Sequence, residues 1–191
     1  MQNQEENYIL NIEGALNRNP EDGIRQLEDL IARQDALSLV PKIFNVSSNS
    51  YMLFGACKIL EEHIKANWSA ISEEDRYELR NFVTSSLSNC QDIQVRSRLN
   101  SVLVKIAIRS YPDDWPNFLS EAIYNSEFEQ FQFFLEEIND SPIDILPQEK
   151  KAAIIQELAG NAAEFLQALI QGYQISDKAI NRYIRYINWD M

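Results

Sequence analysis

An all-α fold of tandem antiparallel helix pairs is the architecture that three features of this sequence predict. Hydrophobic residues recur at helical spacing along the whole chain, and no segment alternates with the period of two that a half-buried strand needs. The apolar segments are separated by short polar breaks that carry caps and prolines. Taken in pairs, the segments repeat every ~35–45 residues, a period that marks helical repeat arrays.

The first stripe, Tyr8, Ile9, Ile12, Ala15 and Leu16, predicts an amphipathic helix. Asn19 then Pro20 reads as an N-cap with proline at the first helical position, and Ile24, Leu27, Leu30 and Ile31 give that second helix its inner face. A short third segment carries Leu37, Leu39, Val40, Ile43 and Phe44. Proline is tolerated only in a first turn, so Pro41 predicts a late start with Ser38 as cap. Phe54, Cys57, Leu60, Ile64 and Trp68 line one side of a long helix over 51–68. Ser72 followed by Glu73, Glu74 and Asp75 is a capping box with an acidic first turn, opening a helix with Leu79, Phe82, Val83 and Leu87.

Val95, Leu99, Val102, Leu103 and Ile106 pattern the next helix, over 93–110, which Pro112 ends. Segment 115–125 is short and apolar at Phe118, Leu119, Ala122 and Ile123. Ser126 caps a helix over 127–139 with Phe128, Phe131, Phe134, Leu135 and Ile138 inward. Residues 140–147 contain two prolines and read as a loop. An Ala-rich helix over 148–173, interrupted by Gly160, precedes a last helix capped by Ser176, with Ala179, Ile180, Tyr183, Ile184 and Ile187 on one stripe. Tyr186 and Trp189 fall off that stripe and are expected to form an exposed, self-associating patch at the end of the array. A four-helix bundle would need fewer, longer helices. The prediction is a right-handed α-solenoid of about five HEAT-like antiparallel pairs, one continuous array over 1–191.

The 191 residues are 45% hydrophobic and 24% charged, enough to bury a core. Lys and Arg number 17 against 29 Asp and Glu, a net charge of −12. That balance disfavours a nucleic-acid backbone as partner and favours a basic protein surface. Five glycines are too few for a Gly-rich phosphate cradle, and a single histidine excludes His pairs and multi-His metal sites. Cys57 and Cys90 form no CxxC, which leaves zinc without ligands and reads as two reduced thiols of a cytosolic or nuclear protein. The N-terminus is polar and acidic, unlike a secretory or transit signal, and no run approaches ~18 apolar residues, so no membrane insertion is expected.

No catalytic constellation emerges, and no cofactor is expected. Cys57 and His63 are six residues apart, on different faces of one helix. Asp113 and Asp114 sit in a turn and point apart, so capping is their predicted role. Glu61–Glu62 and Glu136–Glu137 read as solvated helix faces. The phenylalanines at 128, 131, 133 and 134 read as core, with Phe133 off the main stripe. Arg96, Arg98, Lys105 and Arg109 make the single basic helix, suited to solvation or to a local acidic partner.

Three segments go beyond periodicity. Residues 58–68 read Lys-Ile-Leu-Glu-Glu-His-Ile-Lys-Ala-Asn-Trp, residues 111–119 read Tyr-Pro-Asp-Asp-Trp-Pro-Asn-Phe-Leu, and residues 186–189 read Tyr-Ile-Asn-Trp. In this order and spacing the chain resembles the amino-terminal region of exportins, in the importin-β superfamily. The resemblance runs from about residue 19 to 189, with an importin-β-like part over roughly 7–88 and an exportin-like continuation over roughly 89–191. Tyr111 replaces the family's usual Trp and Lys58 its frequent Gln. The motif residues Ile59, Leu60, Glu61, Ile64, Trp68, Pro112, Trp115, Pro116, Phe118 and Trp189 are expected to be structural. Ile59, Leu60 and Ile64 fill the helix seam, Trp68 closes its helix with the indole N–H on a carbonyl, and 112–116 make a corner capped by Asp114 with Pro116 in the next helix's first turn.

The resemblance implies a non-enzymatic nuclear transport receptor that shuttles between nucleus and cytoplasm. It also implies that the second helix of each early pair faces the GTP-bound form of a Ran-type small GTPase, with cargo proteins and nucleoporins as further partners. By helical phase, the residues on those faces are Tyr51, Lys58, Glu62 and Lys65, then Arg98, Ser101 and Lys105. Family members are several times longer, so the chain reads as a front piece or a free-standing relative. The competing reading is an α-solenoid scaffold or adaptor with no GTPase link.

Overall fold

A computed structural model describes residues 2–124, 128–140 and 146–161, with the single positions 163 and 167. The chain forms two compact units, Met1–Val102 and Leu103–Met191.

The first unit holds α1 (Gln2–Arg18), α2 (Pro20–Ile31), α3 (Ala36–Val46), α4 (Ser50–Asn67), a 3-10 turn at Trp68–Ala70, α5 (Glu73–Asn89) and the opening turns of α6 (Ile93–Ser110). Adjacent helices pair, α1 with α2 and α3 with α4, and the hairpins stack like on like, α1 against α3 and α2 against α4. The third pair continues the pattern. Phe44 of α3 meets Phe82 of α5 edge to face at 5.6 Å. Arg98 of α6 donates to Glu61 of α4 at 2.7 Å, and Ser50 of α4 donates to Asp92, the residue before α6, at 2.5 Å. This is the all-α, HEAT-like organisation the periodicity predicts.

The breaks follow from their side chains. Asn49 Oδ1 accepts from the backbone N–H of Tyr51 at 2.9 Å, Ser72 Oγ from that of Asp75 at 3.2 Å, and Asp92 Oδ1 from those of Gln94 and Val95 at 2.8 and 3.2 Å. Between α1 and α2 the backbones touch: a Cβ on Gly23 would lie 2.5 Å from Leu16 Cα, so only glycine fits there. Ile24 beside it is 41% exposed, contrary to the inner face expected of it. The start of α3 also differs from expectation. It begins at Ala36 after Asp35, not at Ser38, and Pro41 lies beyond the first turn. Burial of Ala36, Leu39, Val40 and Ile43 compensates for the N–H that Pro41 cannot supply.

The second unit packs the closing turns of α6 with α7 (Phe118–Tyr124), α8 (Phe128–Asp140) and α9 (Gln148–Gly160). Tyr111, Phe118, Phe131 and Phe134 are fully buried at its centre, with Phe134 centred 6.0 Å from Tyr111 and 5.1 Å from Phe118. Phe133 packs against this core from its edge. The corner at 111–117 is built differently from the sequence reading. Pro116 is exposed and α7 starts two residues later, so neither Pro116 nor Asp114 opens the helix. Trp115 is half-buried, its indole N–H donating to Glu121 Oε2 at 3.0 Å, while Tyr111 and Phe118 fill the corner. Lys150 of α9 closes the end of α6 by donating to the Arg109 carbonyl at 3.0 Å, and burial pulls its pKa down. Described α9 ends at Gly160. Ser126, the side chains of Ile123 and Phe128, residues 141–145 and the predicted last helix with Tyr186 and Trp189 lie outside the described residues.

Candidate functional site

α4 carries the outward face of the second hairpin. Its buried residues, among them Met52, Leu53, Cys57, Leu60 and Ile64, turn toward the neighbouring helices. Tyr51, Lys58, Glu62 and Lys65 are all exposed and fall within about 60° of one another around the helix axis. No described residue bonds to Lys58, Glu62 or Lys65, so two cations and an anion stand open in one row.

The α6 residues differ. Arg98 is brought beside α4 by Glu61, whose side chain is only 12% exposed. Glu61 is therefore an inter-repeat tie and not the solvated residue the sequence suggested. Ser101 is half-buried on the same helix. Lys105 belongs to the second unit, where its ammonium pairs with Glu137 at 3.3 Å. The other two cations of this helix are also engaged. Arg96 donates to the Leu87 carbonyl at 2.9 Å and closes the end of α5, and Arg109 donates to the Lys105 carbonyl at 2.9 Å. The basic helix is thus a set of structural contacts, with Arg98 alone at the rim of the α4 stripe.

Two features escaped the sequence reading. The Ser50–Asp92 bond joins the starts of α4 and α6, so Tyr51 and Ile93, exposed at 59% and 82%, each follow one of its partners. Ile93 lies roughly opposite the Leu99–Ile106 stripe in helical phase, a signal the sequence did contain. α2 adds a third outward row, Glu21, Arg25 and Glu28. Trp68 is half-buried at the end of α4, stacked under the Arg76 guanidinium at 5.0 Å, and here its own carbonyl accepts from Arg76 at 3.0 Å. Cys57 is buried, and burial pushes its thiol up to about 12, far from a nucleophilic thiolate. His63 bonds Asn67 at 3.2 Å instead.

Like-on-like stacked hairpins with an open row on their second helices define a helical-repeat protein of the HEAT type. Two family descriptions match along it. Residues 24–89 match the importin-beta N-terminal domain and residues 92–188 match the Exportin 1-like protein, meeting between α5 and α6. The chain belongs to the Exportin 1-like family. It is 24% identical over 181 residues to Exportin-1 of Schizosaccharomyces pombe, covering 83% of this chain and 17% of that protein. It is 27% identical over 105 residues to EXPORTIN 1B of Arabidopsis thaliana and 28% over 105 residues to Exportin-1 of Drosophila melanogaster, covering 51% of this chain and 10% of each relative. The chain thus spans a sixth to a tenth of the length of these relatives.

Proposed function

We propose that this chain is the Ran-binding leading arm of an exportin-type nuclear transport receptor and performs no catalysis itself. The observation that carries the reading is family membership over most of the chain together with an open, mixed-charge stripe on α4. Tyr51, Lys58, Glu62 and Lys65 form the centre of the GTPase-facing surface, with Arg98 and Ser101 of the same unit at its margin. Cargo proteins and nucleoporins are partners of the whole receptor, which moves between nucleus and cytoplasm. GTP-dependent binding on the arm couples to cargo binding elsewhere as a free energy shared by two sites.

The test is capture of purified Ran, loaded with GTP or with GDP, on the immobilised chain. The GTP form should be retained preferentially. The double change Lys58→Glu and Lys65→Glu should weaken retention by roughly tenfold and reduce its salt sensitivity. Equal retention of the two nucleotide forms, or none of either, would leave a scaffold without a GTPase link.

A further inference from the structure

On the far side of α4 from this stripe the first unit contains a groove of about 620 Å³, between α3 and α5 and floored by the end of α4. Leu60, His63 and Asn67 turn into it and lie roughly 100–180° around α4 from Lys58, Glu62 and Lys65. Its apolar wall comes from Leu37, Val40, Ile71, Leu79 and Phe82. Leu79 and Phe82 belong to the inner stripe of α5, yet both remain half-buried, because α3 and α5 part here and do not close over them. The volume lies in the ~300–1,000 Å³ range of sites that bury a compact ligand, so it takes a few large side chains and no complete domain edge.

The polar rim has one sign. Asp75 and Glu78 border the groove, and its lining includes no Lys or Arg. Glu73 and Glu74 extend the acidic edge along the first turn of α5. The two arginines of this segment are engaged elsewhere, Arg76 over the Trp68 ring at 5.0 Å and Arg80 over the Tyr77 ring at 5.0 Å. His63 and Asn67 on the opposite rim bond each other at 3.2 Å. An apolar channel bordered by carboxylates, on a chain of net charge −12, complements a segment that carries large apolar side chains on one side and cations on the other.

We infer that this groove is a second docking site, for a cationic amphipathic helical segment of a partner protein, whose apolar residues at i and i+4 enter the groove while its Lys or Arg side chains meet Asp75 and Glu78. The site faces away from the GTPase-facing stripe, so both surfaces can be occupied at once. It is independent of the reading given under the proposed function.

The probe is a fluorescein-labelled amphipathic peptide with Leu and Phe at i and i+4 flanked by lysines, compared with a twin in which each Lys is Glu and a third in which each is Gln. Binding to the full chain is followed by anisotropy at low and high salt. The Lys peptide should bind at least roughly tenfold tighter than the Glu twin, with the Gln peptide between them, and high salt should narrow the gap. Glu78→Lys, at an exposed position, should weaken the Lys peptide by roughly five- to tenfold and improve the Glu twin. Leu79→Lys should remove binding of all three, with a melting curve to confirm that the variant folds. Lys58→Glu should change none of them. Equal binding of the three peptides, or Lys-peptide affinity unmoved by Glu78→Lys, would overturn the proposal. Lost Ran capture with peptide binding intact would sink the GTPase reading and leave this one standing.

Discussion

α4 and α6 are helices of equal length, 18 residues each, at equivalent places in successive hairpins, yet they use their surfaces differently. α4 buries one side and leaves Tyr51, Lys58, Glu62 and Lys65 open. α6 commits nearly every side. Val95, Leu99, Val102, Val104, Ile106 and Ile108 are all buried, and so is Asn100. Its four cations are bonded to Leu87, Glu61, Glu137 and the helix's own backbone. Equal place in a repeat therefore does not mean equal role: one helix presents a surface and the other holds the chain together. A cation on a second helix is available to a partner only where the neighbouring helices offer it no carboxylate or carbonyl.

The strongest challenge to that contrast is removal of a ring at the end of α6. Tyr111→Ala empties a site with no solvent exposure and should cost about 3–5 kcal/mol, whereas Tyr51→Ala on α4 should stay within about 0.5 kcal/mol; denaturant titrations of both variants read the difference. A smaller effect separates two charge reversals. Arg98→Glu sets a carboxylate against the nearly covered Glu61 and should destabilise by about 1 kcal/mol, a fall in Tm of ~2–4 °C. Lys58→Glu should leave the melting curve in place. Equal shifts would erase the distinction between a tie and a presented cation.

The smallest effect concerns acid. The hydroxyl of Ser50, and then the backbone N–H groups of Val95 and Gln94, hold the Asp92 carboxylate below its ordinary range. A group with a depressed folded pKa adds stability above its unfolded pKa, near ~4, and loses it as pH falls through the folded value. Asp92→Asn keeps an Oδ1 acceptor for the Gln94 and Val95 N–H groups, lets its amide donate to the Ser50 hydroxyl in place of accepting from it, and removes the titration. Its unfolding curves should fall less steeply between pH ~4 and ~2 than those of the parent, with little change near neutrality. Parallel pH profiles would mean that the link between α4 and α6 does not depend on charge.

Helical phase made most of the fold legible. The bounds of α6 coincide with the predicted 93–110 because Asp92 and Pro112 punctuate both ends locally. The α4 stripe was legible for the same reason, since exposure on an isolated helix face depends on spacing alone. Two starts were not. At α3, burial of four apolar side chains outweighs the proline rule; at α7, the fully buried Phe118 is the first helical residue and Pro116 remains in the turn before it. The state of Arg98 and Lys105 was not legible either. Their partners, Glu61 and Glu137, stand 37 and 32 residues away, and only stacking brings such distant positions together. The same holds for Lys150 at the end of α6, 41 residues from the carbonyl it meets.

Gly23 has a mechanical consequence. Where α2 lies on Leu16 there is no side-chain layer between the two backbones, only main chain against main chain. Side chains can change rotamer and slide; peptide planes in contact cannot. At Gly55 of α4, by contrast, the facing group is the flexible Leu27 side chain of the neighbouring hairpin. The first hairpin is thus closed main chain on main chain, whereas the second hairpin meets the first through a side chain that can repack.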